Sequence, residues 1–165
     1  MTEETGAGRA DGHSPEQRLA ALGISLPVVT PPLAAYVPAV RSGNLVYTAG
    51  QVPILEGQLL ATGKVGAQVG TQEAAALART CALNALAAVV SVTGRLDAIK
   101  RIVKVTAFVA SAPDFTGQPQ VANGASELLL EVFGEAGRHA RSAVGMAALP
   151  LDAPVEVELI AEVSD

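Results

Sequence analysis

The residue in this chain best suited to bind a small anion is Arg141, which lies in a weakly polar segment shortly before an acidic strand. Residues 155–163 alternate with the period of a β-strand. The carboxylates of Glu156, Glu158 and Glu162 share one face, so this strand can bring a carboxylate near Arg141 if the two segments lie close in a sheet. A guanidinium is planar, always charged and matched to a carboxylate. The residues alone leave open whether Arg141 binds a small carboxylate ligand or closes a structural salt bridge.

Composition excludes several classes of partner. The 165 residues suffice for one well-buried domain, and 11 basic against 16 acidic residues give a net charge of -5. No cluster of Lys or Arg could follow a phosphate backbone, so we expect no nucleic-acid partner. Cys81 is the only cysteine, and His13 and His139 are far apart in sequence, so we expect no disulfide and no metal site. Half of the residues are hydrophobic and 3% are aromatic, an excess of small apolar residues that suggests burial between subunits.

The ends and the apolar stretch of the chain predict no membrane segment. Residues 1–13 have the composition of a disordered tail, which leaves residues 14–165 as a single domain. The tail lacks the basic and apolar succession of a signal sequence, so we expect a cytoplasmic protein. The most apolar region, residues 74–92, is interrupted by Arg79, Thr80 and Asn84 and is typical of a buried helix.

The order of predicted elements indicates an α+β domain with two main helices packed on one face of a mixed sheet. Ser14 to Gln17 have the pattern of a capping box, which predicts a short N-terminal helix over residues 14–23. Thr71 is predicted to cap a long helix. The other predicted elements are strands at 36–40 and 45–48, a hairpin around Glu56 and Gly57, helices at 72–92 and about 121–133, a strand at 99–109, and two further runs at 140–149 and 155–163.

Three groups of residues then resemble a known family. They are Tyr36-Val37-Pro38-Ala39-Val40, Gly43 to Pro53 (GNLVYTAGQVP), and Ala140-Arg141-Ser142 together with Leu149-Pro150 and Val155-Glu156-Val157-Glu158. Over roughly residues 30–163 the chain resembles the RidA, or YjgF-like, family of reactive-intermediate deaminases. Residues 18–24 and 123–126 resemble its longer branch, which carries an N-terminal helix.

The resemblance implies a chorismate-mutase-like fold and a homotrimer whose sheets line a central barrel, with three pockets between subunits. It implies hydrolysis of enamine and imine intermediates such as 2-aminoacrylate to 2-oxo acids and ammonia, as in the 2-iminobutanoate/2-iminopropanoate deaminases. The substrate would be a small 2-imino or 2-amino-enoic acid, and no metal or organic cofactor would be required.

The resemblance also assigns residues. Arg141 corresponds to the arginine that holds the substrate carboxylate, Glu156 to the glutamate that positions or activates water, and Tyr36 to a pocket tyrosine. Gly50 ends a strand, where glycine permits close approach of a ligand or only relieves crowding. Asn123 lies early in a helix, where it could line the pocket or serve the backbone.

Other interpretations remain for several residues. Glu156 could be one of several solvated carboxylates on a sheet face, and Tyr36 could pack with its hydroxyl paired. His139 could tune the pocket, but we expect an exposed histidine in a turn. Ala143 stands where many relatives of this kind carry cysteine, so no thiol can act there.

Two alternative functions remain, one suggested by departures from the family pattern and one by a label that is used for this family. Ala143 and an interval from Asp114 to Arg141 that is longer than in short members favour a non-catalytic trimer that binds a small carboxylate. Endoribonuclease activity, the second alternative, conflicts with the acidic charge balance and the absence of a basic groove.

Overall fold

The structure, a computed structural model, describes residues 12–29, 31–32 and 34–165. The predicted tail at residues 1–13 therefore falls almost wholly outside the described residues. The first described helix, α1 (Pro15–Ala21), has Ser14 as its N-cap. The Ser14 hydroxyl accepts from the main-chain N–H of Gln17 at 3.3 Å, and the Gln17 side chain accepts from that of Ser14 at 2.9 Å, which completes the capping box.

A five-stranded mixed sheet forms the centre of the molecule. The described residues form seven strands, and five of these make up the sheet. The seven are β1 (Ala39–Ser42), β2 (Leu45–Thr48), β3 (Ile54–Leu55), β4 (Gln58–Leu59), β5 (Ile99–Ala110), β6 (Ala140–Met146) and β7 (Val155–Val163). The order in the main sheet is β1-β2-β7-β5-β6, and β3 and β4 form a separate hairpin. Strands β5 and β6 are parallel, whereas the other neighbouring pairs are antiparallel.

Two long helices, α2 (Thr71–Thr93) and α3 (Gln118–Phe133), pack on each other and on one face of the sheet. The strand β7 alternates buried and partly exposed residues along its whole length, so the helices cover the face that carries Val157 and Leu159. A Cβ atom at Gly124 of α3 would lie 1.8 Å from the main-chain oxygen of Ala75. Only glycine permits this close approach of α3 to α2.

The opposite face of the sheet, which we call the open face, carries exposed apolar side chains as well as the carboxylates of β7. Register places Val40, Tyr47 and Ile160 side by side on it, and Phe108 beside Val144. Val40 is 55% exposed, Tyr47 43% and Val144 41%. In the part of the chain that the structure describes, no helix covers these residues.

The helix α2 is the core helix of the domain. By length and composition alone it could cross a membrane, since its mean hydropathy over an 18-residue window is 1.6. Half of that window is buried, and its small residues pack against α3 and β7. The buried helix predicted over residues 74–92 is thereby confirmed.

The boundaries of several elements differ from the sequence prediction; the run predicted over residues 140–149, for example, forms β6 only as far as Met146. The first strand begins at Ala39, not at Tyr36, because Pro38 has no N–H to offer the ladder. Thr71 is the first residue of α2 and not its cap: Gly70 has the extended N-cap conformation, and no side chain caps this helix. The helix α3 begins at Gln118, three residues before the predicted start.

Candidate functional site

Arg141 lies on the edge strand β6 and faces α3, because its register partner on β5 is the buried Val105. Its Nη1 donates to Asn123 Oδ1 at 2.9 Å and to Ser126 Oγ at 3.1 Å. Its Nη2 donates to the main-chain oxygen of Pro119 at 3.3 Å. Within the described residues no carboxylate forms an ion pair with Arg141, so three neutral acceptors hold its guanidinium and a structural salt bridge does not.

The three acceptors are aligned by the period of α3. Pro119, Asn123 and Ser126 follow one another at spacings of four and three residues, which places them on one face of a helix. Gly124 lies between them and contacts the backbone at Ala75 on α2. Close packing of one side of α3 on α2 therefore fixes the side that holds Arg141.

His139 joins this group through Ser126. Its Nε2 lies 2.9 Å from Ser126 Oγ, and its Nδ1 lies 2.6 Å from the main-chain oxygen of Gly137. Burial lowers the pKa of His139, the carbonyl of Gly137 opposes this, and the guanidinium of Arg141 lowers the pKa further. His139 is therefore half-buried and hydrogen-bonded, not an exposed turn residue as the sequence suggested.

Glu156 and Gly50 form a second group, on the open face. A Cβ atom at residue 50 would lie 1.9 Å from Glu156 Oε1, so the carboxylate occupies the space that any other residue would fill. The main chains of Gln51 and Val157 exchange two hydrogen bonds of 2.8 and 2.9 Å beside it. The Asn84 amide of α2 donates to the carbonyls of residues 52 and 54, which holds the chain after Gly50 in place.

The surroundings of Glu156 favour its protonated form. Burial raises the pKa of Glu156, and the negative charge of Glu158 on the same face raises it further. Cys81, whose Sγ lies 3.7 Å from the main-chain oxygen of Val155, has a pKa raised well above its ordinary value by burial and then by Glu156. That thiol is fully buried and packs as a small apolar residue.

Arg141 and Glu156 of one chain do not meet. The strand β5 separates β6 from β7, and the register aligns Arg141 with Leu159 but Glu156 with Val144. Two strand spacings and three residues of offset correspond to roughly 14 Å between the two Cα atoms. Arg141 faces the helices whereas Glu156 faces the open side. One chain therefore holds the candidate residues in two separate groups, which we call candidate half-sites: Arg141 with α3, and Glu156 with Gly50.

Tyr36 lies just before β1 with 59% of its surface exposed. Because its side chain is exposed, Tyr36 is not buried in either half-site of this chain, and its predicted role in the pocket stays a prediction.

A shallow cavity of about 100 Å³ lies elsewhere on the open face, beside Lys104, Glu158 and Tyr47. It includes neither Arg141 nor Glu156. Among residues 12–29, 31–32 and 34–165, no three His, Cys, Asp or Glu side chains cluster as metal ligands would. The half-sites are therefore identified by the hydrogen bonds of Arg141 and by the raised pKa of Glu156, and not by a cavity or a cluster of metal ligands.

The residues that sequence reasoning missed are Pro119 and Ser126, and it misjudged His139. The helical spacing of residues 119, 123 and 126 was a usable signal for a shared face. That this face meets Arg141 depends on the parallel pairing of β5 with β6, which joins residues far apart in sequence.

Comparison with known proteins places the chain in a family. Residues 16–163 match the family model described as "YjgF/chorismate_mutase-like, putative endoribonuclease". This match and the mixed sheet with its helices confirm the expected chorismate-mutase-like fold.

Three similar proteins illustrate the range of the family. The Trypanosoma cruzi protein TCP17 is 46% identical over 145 residues, which are 87% of this chain and 91% of that protein. The structure of Atu1372 from Agrobacterium tumefaciens, of unknown function, has a TM-score of 0.84 and 48% identity, covering 91% of this chain and 93% of that one. The structure of Escherichia coli TdcF with bound serine has a TM-score of 0.62 and 28% identity, covering 82% and 94% respectively. By its sequence and by its fold, the chain belongs to the RidA, or YjgF-like, family.

Proposed function

We propose that this protein hydrolyses reactive imines and enamines of small 2-oxo acids, such as 2-aminoacrylate, to the oxo acid and ammonia. The observation that carries the proposal is the state of Arg141. Its guanidinium is half-buried and held by neutral acceptors, and among the described residues it has no carboxylate partner. Of its five N–H groups, these bonds use three. Nε–H and one N–H of Nη2 remain for an incoming carboxylate.

We further propose that the complete site forms between two copies of the chain. The half-sites lie on opposite faces of one sheet. In the proposed homotrimer, Arg141 of one subunit meets Glu156 and Gly50 of the next. The exposed apolar side chains of the open face support this assembly, since exposed apolar area is usually covered by a partner.

The proposed chemistry requires few groups. Arg141 binds the substrate carboxylate and orients the C=N bond, and Glu156 takes a proton from water as its oxygen bonds to the imine carbon. Glu156 passes that proton to the nitrogen, which gives a carbinolamine. The hydroxyl proton of the carbinolamine then moves to the amino group as the C–N bond breaks, so ammonia leaves and the carbonyl forms. An enamine such as 2-aminoacrylate first shifts a proton from nitrogen to its terminal carbon to become the imine. A raised pKa suits Glu156 to this exchange of protons near neutral pH.

The test is the rate of pyruvate and ammonia release from 2-aminoacrylate that a dehydratase generates in situ. We expect the wild type to exceed the uncatalysed rate, and Arg141→Ala to lose about 100-fold through lost charge-assisted hydrogen bonds. Arg138→Ala is the matched control. Arg138 lies two residues before β6 begins, is exposed, and forms its ion pair with Glu135. Equal activity of Arg141→Ala and wild type would contradict the proposal.

A second candidate function is binding of a small carboxylate without turnover. The serine bound in the TdcF structure favours it, as does Ala143 in place of a thiol. Binding of serine or pyruvate that depends on Arg141, without accelerated hydrolysis, would select this function.

The description of the family model also names endoribonuclease activity, but a net charge of -5 opposes binding of a polyanion. The inert buried thiol fits a reducing compartment, and we infer a cytoplasmic location.

A further inference from the structure

We propose that His139 is a positioning residue for Arg141 and that it acts through the hydroxyl of Ser126. The proposal rests on the function proposed above, because it concerns the group that would bind the substrate carboxylate. Among the described residues, the hydrogen bonds of His139 go to Ser126 and Gly137 and not to Arg141. The effect of His139 is to set which way the Ser126 hydroxyl points.

The hydrogen-bond partners determine the tautomer of His139. A main-chain carbonyl can only accept, so the 2.6 Å contact with the oxygen of Gly137 places the proton on Nδ1. In the neutral ring, Nε2 is then an acceptor and receives the Ser126 hydroxyl proton over 2.9 Å. This leaves lone pairs of Ser126 Oγ to accept from Arg141 Nη1 at 3.1 Å.

Without an acceptor at Nε2, the Ser126 hydroxyl would be a free rotor. A serine within a helix can donate to the carbonyl four residues earlier, and some hydroxyl orientations would direct its proton at the guanidinium. Either change weakens one of the three contacts that fix the arginine fork. The charge state agrees: burial and Arg141 disfavour the protonated ring, and the described neighbours give it no carboxylate partner.

The position of His139 links two elements that must stay in register. It immediately precedes β6, and Ser126 lies in the middle of α3. The contact with Gly137 anchors the ring to the turn between them. His139, two residues before Arg141, thereby connects the start of the edge strand β6 to α3.

A substitution series at His139 tests the proposal. His139→Leu fills similar volume without an acceptor, whereas His139→Gln offers an amide oxygen near the Nε2 position. We expect His139→Leu to raise KM for 2-aminoacrylate by about 3- to 10-fold, the effect of one hydrogen bond, with kcat little changed. His139→Gln should recover most of this loss, and His13→Leu should leave both constants unchanged.

A double-mutant cycle separates positioning from general structural damage. Ser126→Ala removes the hydroxyl, so His139→Leu should then have no further effect on KM. Additive effects of the two substitutions would overturn the proposal. If His139→Leu does not fold, His139→Gln compared with Ser126→Ala tests the same step.

One arm does not depend on activity. The Nη1–H resonance of Arg141, the group that donates to Ser126, is assigned by its loss in Arg141→Lys; it should move toward the position of a free arginine in His139→Leu and stay in place in His139→Gln. An unchanged resonance in both variants would overturn the positioning role. Absence of turnover in the wild type, with the resonance shifted in His139→Leu, would instead refute the deaminase function and retain the positioning role.

Discussion

At the residue scale, the position of the Glu156 carboxylate depends on the missing side chain at Gly50. Its carboxylate oxygen occupies the place of a Cβ atom, 1.9 Å from the ideal position. Because that oxygen ends a flexible side chain, the clash in Gly50→Ala can be relieved by rotating Glu156 away.

We therefore expect Gly50→Ala to keep its free energy of unfolding within about 1 kcal/mol of wild type but to lose at least about 10-fold in kcat. Urea unfolding and the 2-aminoacrylate assay measure the two quantities. Full activity of Gly50→Ala with normal stability would show that catalysis does not require the Glu156 carboxylate to lie against residue 50.

Besides burial, the negative charge of Glu158 raises the pKa of Glu156. The pKa of Glu156 is raised by burial and then by Glu158, and the carboxylate form is the one that accepts a proton from water. Activity should rise with pH through this pKa. Glu158→Gln lowers the pKa of Glu156, so the acidic limb of the kcat profile should move to lower pH.

The same shift has a consequence for stability. A folded-state pKa above the unfolded value stabilises the fold only while Glu156 is protonated, and this stabilisation is lost as pH rises through the folded pKa. Glu158→Gln should therefore increase the free energy of unfolding at neutral pH and have less effect below both pKa values. Glu162→Gln, farther along β7, is the control; an equal shift from it would contradict a local effect of Glu158.

At the element scale, α3 presents Asn123 and Ser126 to Arg141 because Gly124 lets its other side touch α2. A Cβ atom at residue 124 would lie 1.8 Å from the main-chain oxygen of Ala75, and backbone cannot rotate away. The two helices would have to separate.

Gly124→Ala should therefore cost about 1 to 3 kcal/mol in the free energy of unfolding, a strain larger than alanine's helix preference can offset. Gly70→Ala is a suitable comparison, because its Cβ meets no atom within 4 Å and only the capping of α2 suffers. Urea unfolding of both variants measures the difference. Similar stability of the two would show that α3 can shift without cost.

How far the sequence predicts each element depends on the range of its interactions. The capping box of α1 was readable because all its partners lie within four residues. Sheet order was not, because the parallel pairing of β5 with β6 depends on a connection that includes α3. Thr71 was wrongly taken as a cap because Gly70 adopts the capping conformation without a side chain.

At the scale of the whole molecule, the resemblance predicted the fold, and the structure shows that Arg141 and Glu156 of one chain lie apart. The alternating pattern of β7 predicted a face of carboxylates, but it could not show that β5 lies between that strand and Arg141. The pairing of Arg141 with α3 and of Glu156 with Gly50 follows from that strand order. A site that uses both residues then requires two copies of the chain.

Mixed assemblies of two inactive variants test this central claim most directly. When Arg141→Ala and Glu156→Gln are produced together, random assortment in a closed trimer leaves about one quarter of the interfaces with both wild-type residues. We predict that the mixture, of trimeric mass by light scattering, releases pyruvate from 2-aminoacrylate at about one quarter of the wild-type rate, while each variant alone is nearly inactive. A mixture no more active than its two parents, in trimers shown to contain both chains, would contradict a site shared between subunits.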